Sequence, residues 1–147
     1  MDFDDLQGER SYSGARAYNQ SKLANVMFTY ELARRLRGTS VTANALHPGV
    51  VRTSFGAEDP AGFQRLLIPF LRPFLKTPAQ GAATSIHVAS APDIEPVSGG
   101  YFANGKPKQS SKRSYDEAAA GRLWQVSADL VGLTNVACST SHLALAY

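Results

Sequence analysis

Residues 14–37 constrain this chain most. Leu23, Met27 and Tyr30 form one apolar stripe, which Val26, Ala33 and Leu36 widen. Tyr18, Lys22, Asn25 and Thr29 form a polar stripe at the same spacing. Both recur at three- to four-residue intervals, the period of an α-helix with one face in a core. Ser13 is placed to cap its start and Gly38 to stop it.

Within that polar stripe, Tyr18-Asn19-Gln20-Ser21-Lys22 sets a phenol and an ammonium one turn apart on one face. A cation about 4 Å from a phenol, at an effective dielectric near 20, favours phenolate by about 4 kcal/mol. Such a pair gives and takes a proton efficiently near neutral pH. The spacing alone also fits a surface tyrosine packed on a lysine stem.

The rest of the chain frames this helix. Val41 to Leu46 reads as a strand buried in a parallel sheet, closed by His47-Pro48-Gly49. Ligands of open α/β sheets sit at such carboxyl ends. His47 reads as a structural neighbour there. Residues 54–77 crowd phenylalanines and leucines between Pro60, Pro69 and Pro73, as expected of short amphipathic helices. They read as local core, as an apolar lid, or, less favoured, as a face touching a membrane surface. Thr77 caps a further helix that begins at Pro78. Its packing face is expected to use Ala82, Ala83, Ile86, Val88 and Ala89. Lys106 to Arg113 reads as a solvated loop, and Asp116 to about Leu130 as a helix in which Trp124 is a packing anchor.

Composition closes off several classes. The content is globular, with 44% hydrophobic and 18% charged residues. The net charge of +3 is too mild and scattered to point to nucleic acid. Cys138 is the one cysteine, so no internal disulfide forms and no metal site is expected. Met1 to Asp5 is acidic and lacks a signal-peptide pattern, and no run reaches the ~18 apolar residues of a membrane span. Cytoplasmic placement is the default expectation.

Ala17-Tyr18-Asn19-Gln20-Ser21-Lys22-Leu23-Ala24-Asn25 resembles the active-site helix of short-chain dehydrogenases/reductases. Its Ser-Lys-Leu-Ala-Asn portion and the lead-in Asp2 to Gly8 resemble the retinol-dehydrogenase-like branch. His47-Pro48-Gly49-Val50-Val51-Arg52-Thr53 resembles that family's turn after the sixth strand, and Ser98 to Phe102 its last strand. The resemblance covers about residues 1–130. It implies an α/β fold, namely the C-terminal part of a doubly wound Rossmann-type parallel sheet without its N-terminal strands. It divides residues 1–134 into a catalytic helix (14–37), a cofactor turn (47–53) and a substrate lid (54–77), and leaves 135–147 as a divergent or disordered tail.

The same resemblance implies NAD(P), NADP ahead of NAD, and a hydrophobic alcohol or aldehyde such as a retinoid. Tyr18 and Lys22 become catalytic and cofactor-binding residues, with Pro48, Gly49, Val51 and Thr53 at the nicotinamide. The helix around Tyr18 and Lys22 becomes a surface for a homo-oligomer. Family members open with a Gly-rich turn that holds the pyrophosphate, and this sequence contains none. The catalytic serine lies on an upstream strand, and Ser11 and Ser13 are too near Tyr18 to fill that place. Two other classes therefore stand beside the enzyme: an inactive fragment acting at most as a dimerising or interaction module, and a binder of small hydrophobic ligands resting on residues 54–77.

Overall fold

The computed structural model describes residues 1–51 and 75–133. The elements run in the order α1 (Gly14–Arg35), β1 (Ala45–His47), α2 (Pro78–Ser90), β2 (Tyr101–Ala103), β3 (Lys106–Pro107), a 3-10 turn (Lys112–Tyr115) and α3 (Glu117–Leu130). The strands form one sheet in the order β1-β2-β3. β1 and β2 are parallel, with Ala45 opposite Tyr101 and His47 opposite Ala103. β2 and β3 are antiparallel, so the sheet is mixed rather than purely parallel. Among the described residues, no helix is long and apolar enough to cross a membrane.

The strand expected over Val41 to Leu46 starts later and ends at His47. Asn44 is the reason. Its Oδ1 accepts from the Gly100 N–H at 2.8 Å and its Nδ2 donates to the Val97 carbonyl at 2.7 Å. The Gly99 N–H donates to the Ala43 carbonyl at 2.8 Å, but the Asn44 side chain then takes the neighbouring bonds, and the continuous β1–β2 register begins at the Ala45 N–H, which donates to Gly100 O at 2.9 Å. Phe102 lies directly beyond, 1% exposed, and a Cβ on Gly100 would come within 2.6 Å of its ring.

Two further expectations need correction. Residues 106–113 are not a plain loop. Asn104 (φ 56°) and Gly105 (φ 68°) are both left-handed and turn the chain from β2 into β3. Asn-Gly is the dipeptide that such tight hairpins favour. Helix α2 buries Gly81 and Thr84, while Ile86 is 63% exposed. The Thr84 hydroxyl accepts the Gly105 N–H at 3.1 Å, so α2 packs through a polar tie to the hairpin rather than through an alanine face.

Helix ends follow simple chemistry. Thr77 and Gln80 form a reciprocal capping box with Pro78 opening α2, and Asp116 accepts the Ala119 N–H at the start of α3. At α1, the Ser13 side chain makes no cap; its carbonyl accepts the Ala17 N–H instead. The chain leaves α1 with Gly38 at φ 85°. α1 packs on α3 through Met27, Ala120 and Leu123, with Leu23, Phe3 and Met1 against them. Trp124 stacks on Phe28, ring centroids 5.0 Å apart, under the Arg35 guanidinium. The buried Glu31 carboxylate takes bonds from Arg34 and Arg35 at 2.7 Å each. Burial alone would raise its pKa, but the two guanidiniums outweigh that and hold it below the usual carboxylate range.

Candidate functional site: the cavity between helix α1 and the end of strand β1

Helix α1 crosses beside β1, and a cavity of about 520 Å³ lies between them. Tyr18, Lys22, Asn25 and Thr29 line it from the helix, which is the polar stripe read from the sequence. Leu46, His47, Pro48 and Gly49 line it from the strand and its turn, and Tyr101 from β2. Residues about thirty positions apart thus share one wall-to-wall space.

Tyr18 is half exposed, and the Lys22 ammonium stands over its ring, 5.2 Å from the centroid. Their contact is a cation–π one, worth about 0.5–1 kcal/mol at an exposed site. It keeps both side chains on the cavity side of the helix. The Ser21 hydroxyl donates back to the Tyr18 carbonyl at 2.8 Å and plays no part in the cavity. Gly49 adopts φ 88°, a conformation open to glycine at little cost. The turn can therefore bring bare backbone up to the cavity.

Val51 stands behind that wall. It forms a parallel bridge with Lys76 and packs on Gly81 in the first turn of α2. Thr53, and residues 54–74 of the expected lid, lie outside the described residues, as does 134–147. A Cβ on Gly81 would fall 2.5 Å from Val51 Cγ2. Replacing a helical glycine by alanine ordinarily gains about 1 kcal/mol, but overpacking costs about 1–3 kcal/mol. The clash wins here, since the β-branched Val51 is stiff at χ1. Gly81→Ala is expected to lower the denaturant-derived stability by about 1 kcal/mol. The same change should become neutral or stabilising in a Val51→Ala background. A stabilising Gly81→Ala in the wild type would contradict this packing.

Sequence reasoning missed four residues that shape the site: Asn44, Tyr101, Lys76 and Asn104. An asparagine inside an expected strand was one available signal, because asparagine is depleted there. Asn104-Gly105 was another. Lys76 carries no local signal.

A parallel strand pair whose carboxyl-end turn faces a helix bearing tyrosine and lysine defines an α/β protein with its site at the strand ends. Residues 6–62 match the family model described as short chain dehydrogenase. Human retinol dehydrogenase 14 is 46% identical over 142 residues, covering 90% of this chain and 40% of that protein. Mouse retinol dehydrogenase 12 is 48% identical over 131 residues, 89% of this chain and 41% of its own length. Mouse retinol dehydrogenase 13 is 45% identical over 140 residues, 90% and 41% respectively. Over about 90% of its length the chain is thus similar to short-chain dehydrogenases/reductases of the retinol-dehydrogenase-like branch. It spans about 40% of the length of these curated relatives.

Proposed function

We propose that these residues form the proton-transfer and nicotinamide end of an NAD(P)-dependent oxidoreductase, NADP ahead of NAD, of which they are the C-terminal portion. The substrate class is a hydrophobic alcohol or carbonyl compound, a retinoid or another apolar aldehyde. The observation that carries this reading is the shared cavity: Tyr18, Lys22, Pro48 and Gly49 all line it.

The fit to a dinucleotide is good at one end. A cavity of about 520 Å³ with an ammonium, a phenol and a glycine wall suits a nicotinamide riboside portion. The pyrophosphate has no Gly-rich turn in this sequence to receive it. When bound, the nicotinamide supplies or accepts the hydride. Tyr18 Oη gives its proton to the carbonyl oxygen in reduction and takes the hydroxyl proton in oxidation. Lys22, whose ammonium stands over the Tyr18 ring, would donate to the nicotinamide ribose. Pro48 and Gly49 would hold the nicotinamide, with Val51 behind them; the role that the resemblance gives Thr53, at the carboxamide or phosphate, falls on a residue outside the described ones. The outer edge of β1 has no strand partner among the described residues. That edge supports association with further chain, and the helix that carries Tyr18 and Lys22 is the element proposed to pair in a homo-oligomer.

A thermal-unfolding titration with NADPH and then NADH tests this. Saturating ligand, at ~100 times its dissociation constant, adds roughly 2.7 kcal/mol of stability. The expected result is a saturable rise that Lys22→Met abolishes, larger with NADPH. A cooperative transition that neither cofactor moves would remove the cofactor reading and leave the interaction module.

A further inference from the structure

Lys76 joins three separate stretches of chain at the carboxyl end of the sheet. Its Nζ donates to the Pro48 carbonyl at 3.1 Å and to Asn104 Oδ1 at 2.6 Å. Its backbone N–H donates to the Val50 carbonyl at 3.0 Å. Its stem lies against Gly49, where an added Cβ would meet Lys76 Cε and Nζ at 3.0 Å. The acceptor is itself anchored, since Asn104 sits in the left-handed hairpin turn whose Gly105 N–H is held by Thr84 of α2. Among the described residues Lys76 has no carboxylate within ion-pair distance; its charge is committed to two neutral oxygens.

We propose that Lys76 is a positioning residue for the cavity. It does not line that space. It acts through the Pro48–Gly49 turn, which it pulls toward the Asn104 hairpin and so holds in the shape that forms the strand-side wall. A glycine at φ 88° has many other conformations open to it, and a turn left to itself would sample them. A charge-assisted bond to the carbonyl just before that glycine restrains it roughly twice as strongly as a neutral one would. The inference rests on the cofactor reading above, because that turn is where the nicotinamide is seated.

Three variants of the full chain separate the clamp from general stability. Lys76→Met keeps the stem and loses the donors. Lys76→Arg keeps charge and donors. Asn104→Gly keeps the left-handed backbone and loses the acceptor. Amide hydrogen exchange is followed at residue 76, whose N–H donates to the Val50 carbonyl of the turn, with Met27 to Tyr30 of α1 as reference. Exchange at that amide should quicken roughly tenfold in Lys76→Met and Asn104→Gly and stay within about threefold in Lys76→Arg, with α1 unmoved. The double variant should be no faster than Lys76→Met, as two halves of one interaction are not additive. The NADPH dissociation constant should weaken by a similar factor in the first two variants and recover in Lys76→Arg. Unchanged exchange at residue 76, equal quickening across α1, or faster exchange with unaltered NADPH binding would each overturn the proposal. If the wild type binds no NADPH, the cofactor reading alone fails, and the exchange data still decide whether Lys76 clamps the turn.

Discussion

Replacing Tyr18 by Phe is expected to lower the turnover of an apolar aldehyde with NADPH by roughly 10²–10⁴-fold, the usual contribution of a positioned proton donor. The ring stays, so its contact with the Lys22 ammonium stays. The side chain is 50% exposed, so losing its hydroxyl leaves no buried group unsatisfied. Stability should therefore shift by less than about 0.5 kcal/mol, as for surface changes generally. The separation is the diagnostic point: a large loss of turnover with an unmoved unfolding midpoint assigns the phenol to chemistry. Lys22→Met should differ, weakening cofactor binding as well as turnover, since its ammonium serves both. The assay is made on a chimera in which a related full-length dehydrogenase supplies the pyrophosphate turn and the upstream serine, since this chain alone is expected to turn over little or not at all. Turnover by Tyr18→Phe within threefold of the wild type would exclude the phenol as proton donor.

The parts of this site that lie on one helix were legible in the sequence, and the parts made by meetings between elements were not. Tyr18, Lys22, Asn25 and Thr29 share a face because α-helical period fixes it, and all four line the cavity. Thr77, Pro78 and Asp116 announce helix starts through chemistry confined to a few residues. The first residues of β1 were misread because Asn44 exchanges its bonds with Val97 and Gly100, more than fifty positions away. Lys76 was illegible for the same reason, since Pro48 and Asn104 each lie 28 positions from it. The exposed Ile86 shows the converse error. An apolar pattern placed it inward, but the close approach of Gly81 to Val51 and the Thr84 tie set the rotation of α2.

Phe102→Ala is expected to cost about 3–5 kcal/mol, the range for truncating a buried aromatic. Phe102 is the largest of the fully buried side chains, at 1% exposure, and it sits on the central strand. Its ring covers Gly100, whose N–H and carbonyl hold Asn44 and Ala45, so the ring also shields the bonds that join β1 to β2. Among the described residues Ala103 is the other buried residue of the sheet, and the cluster of Met27, Ala120 and Leu123 belongs to the α1–α3 pair. Domain stabilities run to only about 5–15 kcal/mol, so the loss should melt the sheet first. Hydrogen exchange should then show lost protection at Ala45, His47 and Ala103 while Met27 and Leu123 keep theirs, because units of unequal stability open separately. The cavity would lose its strand-side wall, and any NADPH-induced stabilisation should vanish with it even though Tyr18 and Lys22 remain on an intact helix. A fall of under about 1 kcal/mol would mean that Phe102 does not hold the sheet, and equal loss of protection in α1 would mean that the sheet and the helix pair stand or fall together.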